Sequence, residues 1–247
     1  MNRRVSAVRR GIDRLTILAV VATIAIVVVR WFRHREHGIT RAVPAVSAAL
    51  LNDSTMPMPS GVRLSRLERY DMAASGITTG DTSAVVTLIV FLDYGCGWCS
   101  VFDSTVELVR EHYPDLVRIV YKPILLDSLN SELLDVAAGS YCAQDLHSFL
   151  AYHRAVLSHQ GWLADRNAWN RIAGTVPALD DRTLRRCVLG ERYRARIRQN
   201  TREAVALGFM STPSSIVGRR PIVGNASYGL LDSLVTLALS DNRGLTH

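Results

Sequence analysis

VTLIVFLDYGCGWC, residues 86–99, is the stretch that decides the fold of this chain. Its first half is a β-branched and aromatic run of strand length, ending at Gly95 directly before two cysteines separated only by Gly97 and Trp98. Beyond Cys99, the residues Val101, Phe102, Thr105, Val106, Leu108, Val109 and Tyr113 recur at helical spacing, with Asp103, Glu107, Arg110 and Glu111 on the opposite face. A buried strand is therefore expected to deliver the chain to Cys96, and an amphipathic helix to lead it away.

Two cysteines so placed can hold a metal, close a small disulfide or exchange electrons with other thiols. A helix N-terminus offers unpaired N–H groups and partial positive charge, which favour a thiolate at Cys96 and make it the attacking and leaving sulfur. Cys99, one turn further in, is expected to be shielded and to resolve the mixed disulfide. A structural zinc needs four ligands, and the sequence offers neither a second Cys-x-x-Cys nor a Cys/His cluster. Redox chemistry is the reading favoured, with no metal and no soluble cofactor.

Working outward, DLVRIVYKP (residues 115–123) predicts a second strand stopped by Pro123. Residues 128–207 show helical periodicity broken at Gly161, Gly174, Pro177 and Gly190. SSIVGRRPIVG (214–224) has the two short apolar runs of a hairpin, and SYGLLDSLVTLAL (227–239) predicts a closing helix. The order is strand, helix, strand, helical block, hairpin, helix.

The strand with its cysteine pair, the helix after it and MSTPSSIVGRRPIVG (210–224) together resemble a DsbA-type thiol–disulfide oxidoreductase over residues 80–240. The resemblance implies an α/β thioredoxin fold with an inserted all-helical domain, here at about residues 125–207. It also implies that Thr212 precedes a cis-proline, Pro213, and that this pair faces the active dithiol and helps to hold an extended substrate peptide. Two departures matter. Many thioredoxin-fold enzymes carry a proton-shuttling acid six residues before the first cysteine, where this chain has Val90; Asp93 is the nearest acid, either a candidate proton relay or simply the end of the strand. The dipeptide Gly97-Trp98 places no charge beside the sulfur, so the potential is expected to be less oxidising than in relatives with a histidine there. Trp98 either stands exposed beside the reactive sulfur or packs over the helical domain.

Cys142 and Cys187, both in the helical block, read as a structural disulfide in an oxidising compartment; the alternative is two buried free thiols. His147 and His153 are six positions apart, on different helical faces, and read as solvated or capping histidines rather than a metal pair.

The chain has 247 residues, 48% apolar, enough for one sizeable core with an elaboration. Its net charge of +7 lies largely in arginines near the N-terminus and in residues 182–202. Without aromatic interleaving or a zinc-finger pattern, these arginines read as a solvated face, not a nucleic-acid contact. Residues 1–14 form a basic cytoplasmic region, and the apolar run at 15–29, extended past Arg30 by Trp31 and Phe32, reads as a transmembrane signal anchor over 15–32. The charged stretch at 30–41 separates the run from the small residues at 45–49, which favours an uncleaved anchor. Residues 33–83 read as a tether and 84–240 as the catalytic domain.

These readings describe a single-pass protein of the bacterial cytoplasmic membrane with its catalytic domain on the extracytoplasmic side, where disulfides persist. Its substrates would be exported protein thiols and disulfides. Its redox partner would be a DsbB-like oxidase if it is an oxidase, the direction favoured, or a DsbD-like reductant if it is an isomerase or reductase. A non-catalytic thioredoxin-fold peptide-binding module is the remaining alternative.

Overall fold

The computed structural model describes residues 71–126, 130–177 and 179–243. At its centre is a five-stranded mixed sheet of β1 (Ile77–Thr79), β2 (Val86–Leu92), β3 (Val117–Pro123), β4 (Ser214–Val217) and β5 (Arg220–Val223), ordered β1-β3-β2-β4-β5. The helices are α1 (Gly97–His112), α2 (Ser131–Asp145), α3 (Phe149–Ser158), α4 (Ala168–Ala173), α5 (Asp181–Leu189), α6 (Arg194–Ala206) and α7 (Tyr228–Arg243). α1 carries the chain back to the start of the sheet, so β2 and β3 run parallel. β4 and β5 form the expected antiparallel hairpin, and β4 pairs antiparallel with β2.

Both faces of the central strands are covered, which is why β2 reads as a continuous apolar run instead of an alternating one. Leu88, Val90 and Leu92 point into the core shared with Cys99, Phe102 and Val106 of α1 and with α7. Ile89 and Phe91 point the other way, against Met72, Ala204 of α6 and Phe209. The fully buried Lys122 donates its ammonium hydrogens to the Met72 carbonyl, Ser75 Oγ and Glu203. These bonds tie the segment before β1 to α6. The Tyr141 hydroxyl and the Arg196 guanidinium both reach the Ser75 carbonyl, fastening the same segment to α2 and α6.

The helical block lies between β3 and β4. Cys142 of α2 and Cys187 of α5 are joined in a disulfide across a 45-residue separation. The expectation of a bond holds, and the alternative of two free thiols falls.

Three sequence expectations need correction. The tether expected over residues 33–83 ends earlier, since Ile77–Thr79 pairs with β3, Ile77 opposite Tyr121, and Ile77 is buried. A three-residue strand bounded by Gly76 and Gly80 is too short to show a period of two in the sequence. On α1, the helical spacing puts Val101 and Leu108 with the apolar face, but both are half exposed. The buried ridge is Cys99, Phe102, Val106 and Val109, and a residue one position away from it is rotated by about 100°. His153, read as solvated or capping, is fully buried and hydrogen-bonded by side chains at both ring nitrogens. The anchor expected at residues 15–32 lies outside the described residues; among the described residues, no helix is long and apolar enough to cross a membrane.

Candidate active site

β2 ends at Leu92, and the next four residues make a tight turn into α1. The Asp93 carboxylate accepts from the Gly95 N–H at 2.8 Å, and its carbonyl accepts from the Cys96 N–H at 3.0 Å. Asp93 thus fixes the turn with both its carboxylate and its carbonyl oxygen. Gly95 lets Leu133 of α2 pack close to the turn, since a Cβ there would stand 2.8 Å from Leu133 Cδ1 and push that side chain aside. The turn leaves Cys96 as the N-cap of α1, with extended backbone.

Both cysteines are free thiols. Cys96 is half-buried and Cys99, on the ridge that packs against the sheet, is buried. Burial pushes the Cys99 thiol well up, against the opposing pull of the Asp93 backbone and the Thr212 hydroxyl. The Cys96 Sγ donates to the Thr212 carbonyl at 3.2 Å, and the Thr212-Pro213 peptide bond is cis. The strand-helix turn and the loop before β4 therefore meet at the sulfurs, as the resemblance implied.

Two large apolar side chains beside the site residues in the chain stand exposed to solvent. Trp98 is 64% exposed, resolving its two readings in favour of the solvent-facing one, and Met210 on the facing loop is 71% exposed. A Cβ at Gly97 would meet nothing within 4 Å. Such a surface suits an extended chain laid over the sulfurs.

Four further residues at the site carried no clear signal in the sequence. The Tyr94 hydroxyl lies 2.9 Å from His153 Nδ1, and His153 Nε2 lies 2.9 Å from the Asp103 carboxylate. An ionised Asp103 can only accept, so His153 donates its Nε2–H to that carboxylate, with the Tyr94 hydroxyl set against Nδ1. Burial raises Tyr94 far above the ordinary phenol range, so it remains a donor. Asp103 lies by its spacing on the face of α1 opposite the apolar residues, yet its side chain is only 12% exposed. From the turn after α3, Gln160 Nε2 donates to the carbonyls of Tyr94 at 2.8 Å and Cys96 at 2.9 Å. Tyr94 could have been suspected from its place beside the cysteine pair. Nothing in the sequence separates Gln160 from a surface glutamine.

Among the described residues, no three His, Cys, Asp or Glu side chains converge as metal ligands would.

A thioredoxin-type sheet presenting a free dithiol at a helix N-terminus opposite a cis-proline defines a class of thiol-based redox domains. The family model described as Thioredoxin matches residues 73–236, and the chain belongs to that family. It is similar to the Na(+)/H(+) antiporter NhaA 1 of Mycobacterium sp. (strain KMS), with 26% identity over 144 residues covering 57% of this chain and 23% of that protein. The chain thus spans under a quarter of the length of that relative. It is also similar to the putative protein-disulfide oxidoreductase RP025 of Rickettsia prowazekii (strain Madrid E), with 21% identity over 174 residues, 68% of this chain and 63% of that one.

Among solved structures, a thioredoxin-like oxidoreductase from Silicibacter pomeroyi DSS-3 superposes with a TM-score of 0.59 at 26% identity, covering 69% of this chain and 97% of that one. The thiol-disulfide exchange protein alpha-DsbA2 from Wolbachia pipientis shares the fold with a TM-score of 0.58 at 19% identity, covering 69% and 92%. The resemblance to DsbA-type oxidoreductases read from the sequence holds in these comparisons.

Proposed function

We propose that this protein is a membrane-anchored thiol–disulfide oxidoreductase of the bacterial envelope that oxidises exported proteins through Cys96 and Cys99. The observation that carries the reading is the asymmetry of the pair. Cys96 is reachable at the helix N-terminus, while Cys99 is buried with its thiol pushed up by that burial. One sulfur is thereby built to meet substrate and the other to stay out of solvent.

In the oxidising direction, a substrate thiolate attacks Cys96 of the Cys96–Cys99 disulfide. The S–S bond breaks, a substrate–Cys96 disulfide forms, and Cys99 leaves and takes up a proton. The substrate's second thiolate then attacks its own sulfur in the mixed disulfide, and Cys96 leaves. Two substrate thiols become a disulfide and the enzyme disulfide becomes a dithiol. A DsbB-like membrane oxidase would remove the two electrons. The Thr212-Pro213 loop, with its carbonyl at the Cys96 sulfur, and the exposed Trp98 and Met210 would hold the substrate chain.

The apolar run at residues 15–32 supports a single-pass anchor with the dithiol on the extracytoplasmic side. The Cys142–Cys187 disulfide supports the same compartment. A second reading, isomerase or reductase served by a DsbD-like donor, is favoured by the Gly97-Trp98 dipeptide, which puts no cation beside Cys96. Acid quench of intact cells followed by mass-tagged alkylation tests the direction. A mostly oxidised pair supports the oxidase, and a mostly reduced pair supports the second reading.

A further inference from the structure

The helical block is hydrogen-bonded to the reactive turn at three atoms. Gln160 Nε2 donates both of its hydrogens to this turn, one to the Tyr94 carbonyl at 2.8 Å and one to the Cys96 carbonyl at 2.9 Å. Seven residues earlier, His153 takes the Tyr94 hydroxyl at 2.9 Å and is itself fixed by Asp103 of α1. Seven positions are about two helical turns, so α3 and the short 3₁₀ turn after it (Gln160–Trp162) offer both side chains toward the same loop. Tyr94 is held by its side chain and its backbone, and Cys96 by its backbone.

We propose that Gln160 is a positioning residue for the exchange reaction, its carboxamide holding the Tyr94 and Cys96 carbonyls so that the helical insertion sets the reactivity and redox balance of the dithiol. The inference rests on the exchange reading of Cys96 and Cys99 given above.

The physical basis is a difference between the two redox forms. The Cys96 carbonyl already accepts the Cys99 N–H at 3.1 Å, the bond that opens α1. The Gln160 amide adds a second donor to that oxygen and draws electron density from the Cys96 peptide. The Cys96 sulfur carries negative charge when the dithiol ionises and none when the disulfide is closed, so this withdrawal acts on one redox form more than on the other. The clamp therefore favours the dithiol form and the leaving of Cys96. A glutamine that only filled space would treat the two forms alike. Gln160 itself is half-buried in a surface turn, so its replacement does not open the core.

The test uses the full chain and two substitutions of similar volume. Gln160→Met removes both donors; Gln160→Glu replaces them with an acceptor that repels the two carbonyls. Each protein is equilibrated in glutathione redox buffers and its dithiol fraction counted by alkylation and mass. The rate of Cys96 alkylation in the reduced protein and the melting temperature of both redox forms are measured alongside.

For Gln160→Met, the expected result is an equilibrium shifted toward the disulfide by roughly three- to tenfold, the range for loss of one net hydrogen bond, with Cys96 alkylation slowed by a similar factor. Gln160→Glu shifts further in the same direction. Wild-type equilibrium and alkylation rate in both variants would overturn the proposal. So would an equal fall in the melting temperatures of the two redox forms with the glutathione equilibrium unchanged, because the clamp would then be structural only. A wild-type protein that exchanges no electrons with glutathione would instead remove the exchange reading on which the inference stands.

Discussion

The Cys96 thiol donates to the carbonyl of Thr212 at 3.2 Å, joining two residues 116 positions apart. An extended chain laid beside the Thr212-Pro213 loop is brought to the one half-exposed sulfur of the pair. The two cysteines should therefore fail differently. Cys96→Ser should abolish insulin reduction, whereas Cys99→Ser should accumulate mixed disulfides through Cys96 that non-reducing electrophoresis resolves. Retention of activity by Cys96→Ser would refute the assignment of roles.

Cys99 links stability to pH in the reduced protein. Burial raises its thiol in the folded state, so the folded protein keeps a proton that the unfolded chain releases above about pH 8.5. Below that pH both states hold the proton and the group contributes no pH dependence. Above it, the folded state binds more protons than the unfolded one, and stability falls as pH rises. The melting temperature of the reduced wild type should therefore drop more steeply than that of Cys99→Ser between pH 8.5 and 10. Parallel curves would contradict the burial argument.

Lys122 is fully buried, and Glu203 supplies its countercharge. Desolvation pulls the ammonium below its ordinary range, and the carboxylate partly restores it. Removing the anion alone leaves a buried cation beside the Met72 carbonyl and Ser75. Glu203→Gln should cost about 3 kcal/mol in denaturant unfolding, more than Lys122→Met, which removes the charge with its partner's need for it. The reverse order would show that the pair does not anchor the segment before β1.

The Cys142–Cys187 bond closes a loop within the helical block. A loop of 45 residues corresponds to about 4 kcal/mol in the chain-entropy account. The double variant Cys142→Ala, Cys187→Ala should lose stability on that order in equilibrium unfolding while keeping thiol exchange at Cys96. Loss of exchange with stability unchanged would assign this disulfide to the chemistry instead.

The sheet was legible in the sequence wherever burial on both faces wrote long apolar runs, as in residues 86–92 and 117–123, or where Gly218 and two arginines punctuated a hairpin. β1 was not legible, because three residues between glycines carry no measurable period and its partner, Tyr121 in β3, lies 44 positions away. The cysteine pair announced itself by spacing and by its place between strand and helix. Asp103 and His153 did not, since each looks like a solvated residue until α1 and α3 are packed and a carboxylate, an imidazole and the Tyr94 phenol fall in line. Gln160 was the least visible, because its role lies in two carbonyls that every peptide possesses.

The most direct test is a redox titration of the full chain against glutathione, with the alkylated species counted by mass in the wild type and in Cys96→Ser. The account predicts one two-electron transition confined to Cys96 and Cys99, lost in Cys96→Ser, with Cys142–Cys187 remaining bonded throughout. A wild-type protein whose Cys96–Cys99 pair shows no transition across the buffer range would contradict it.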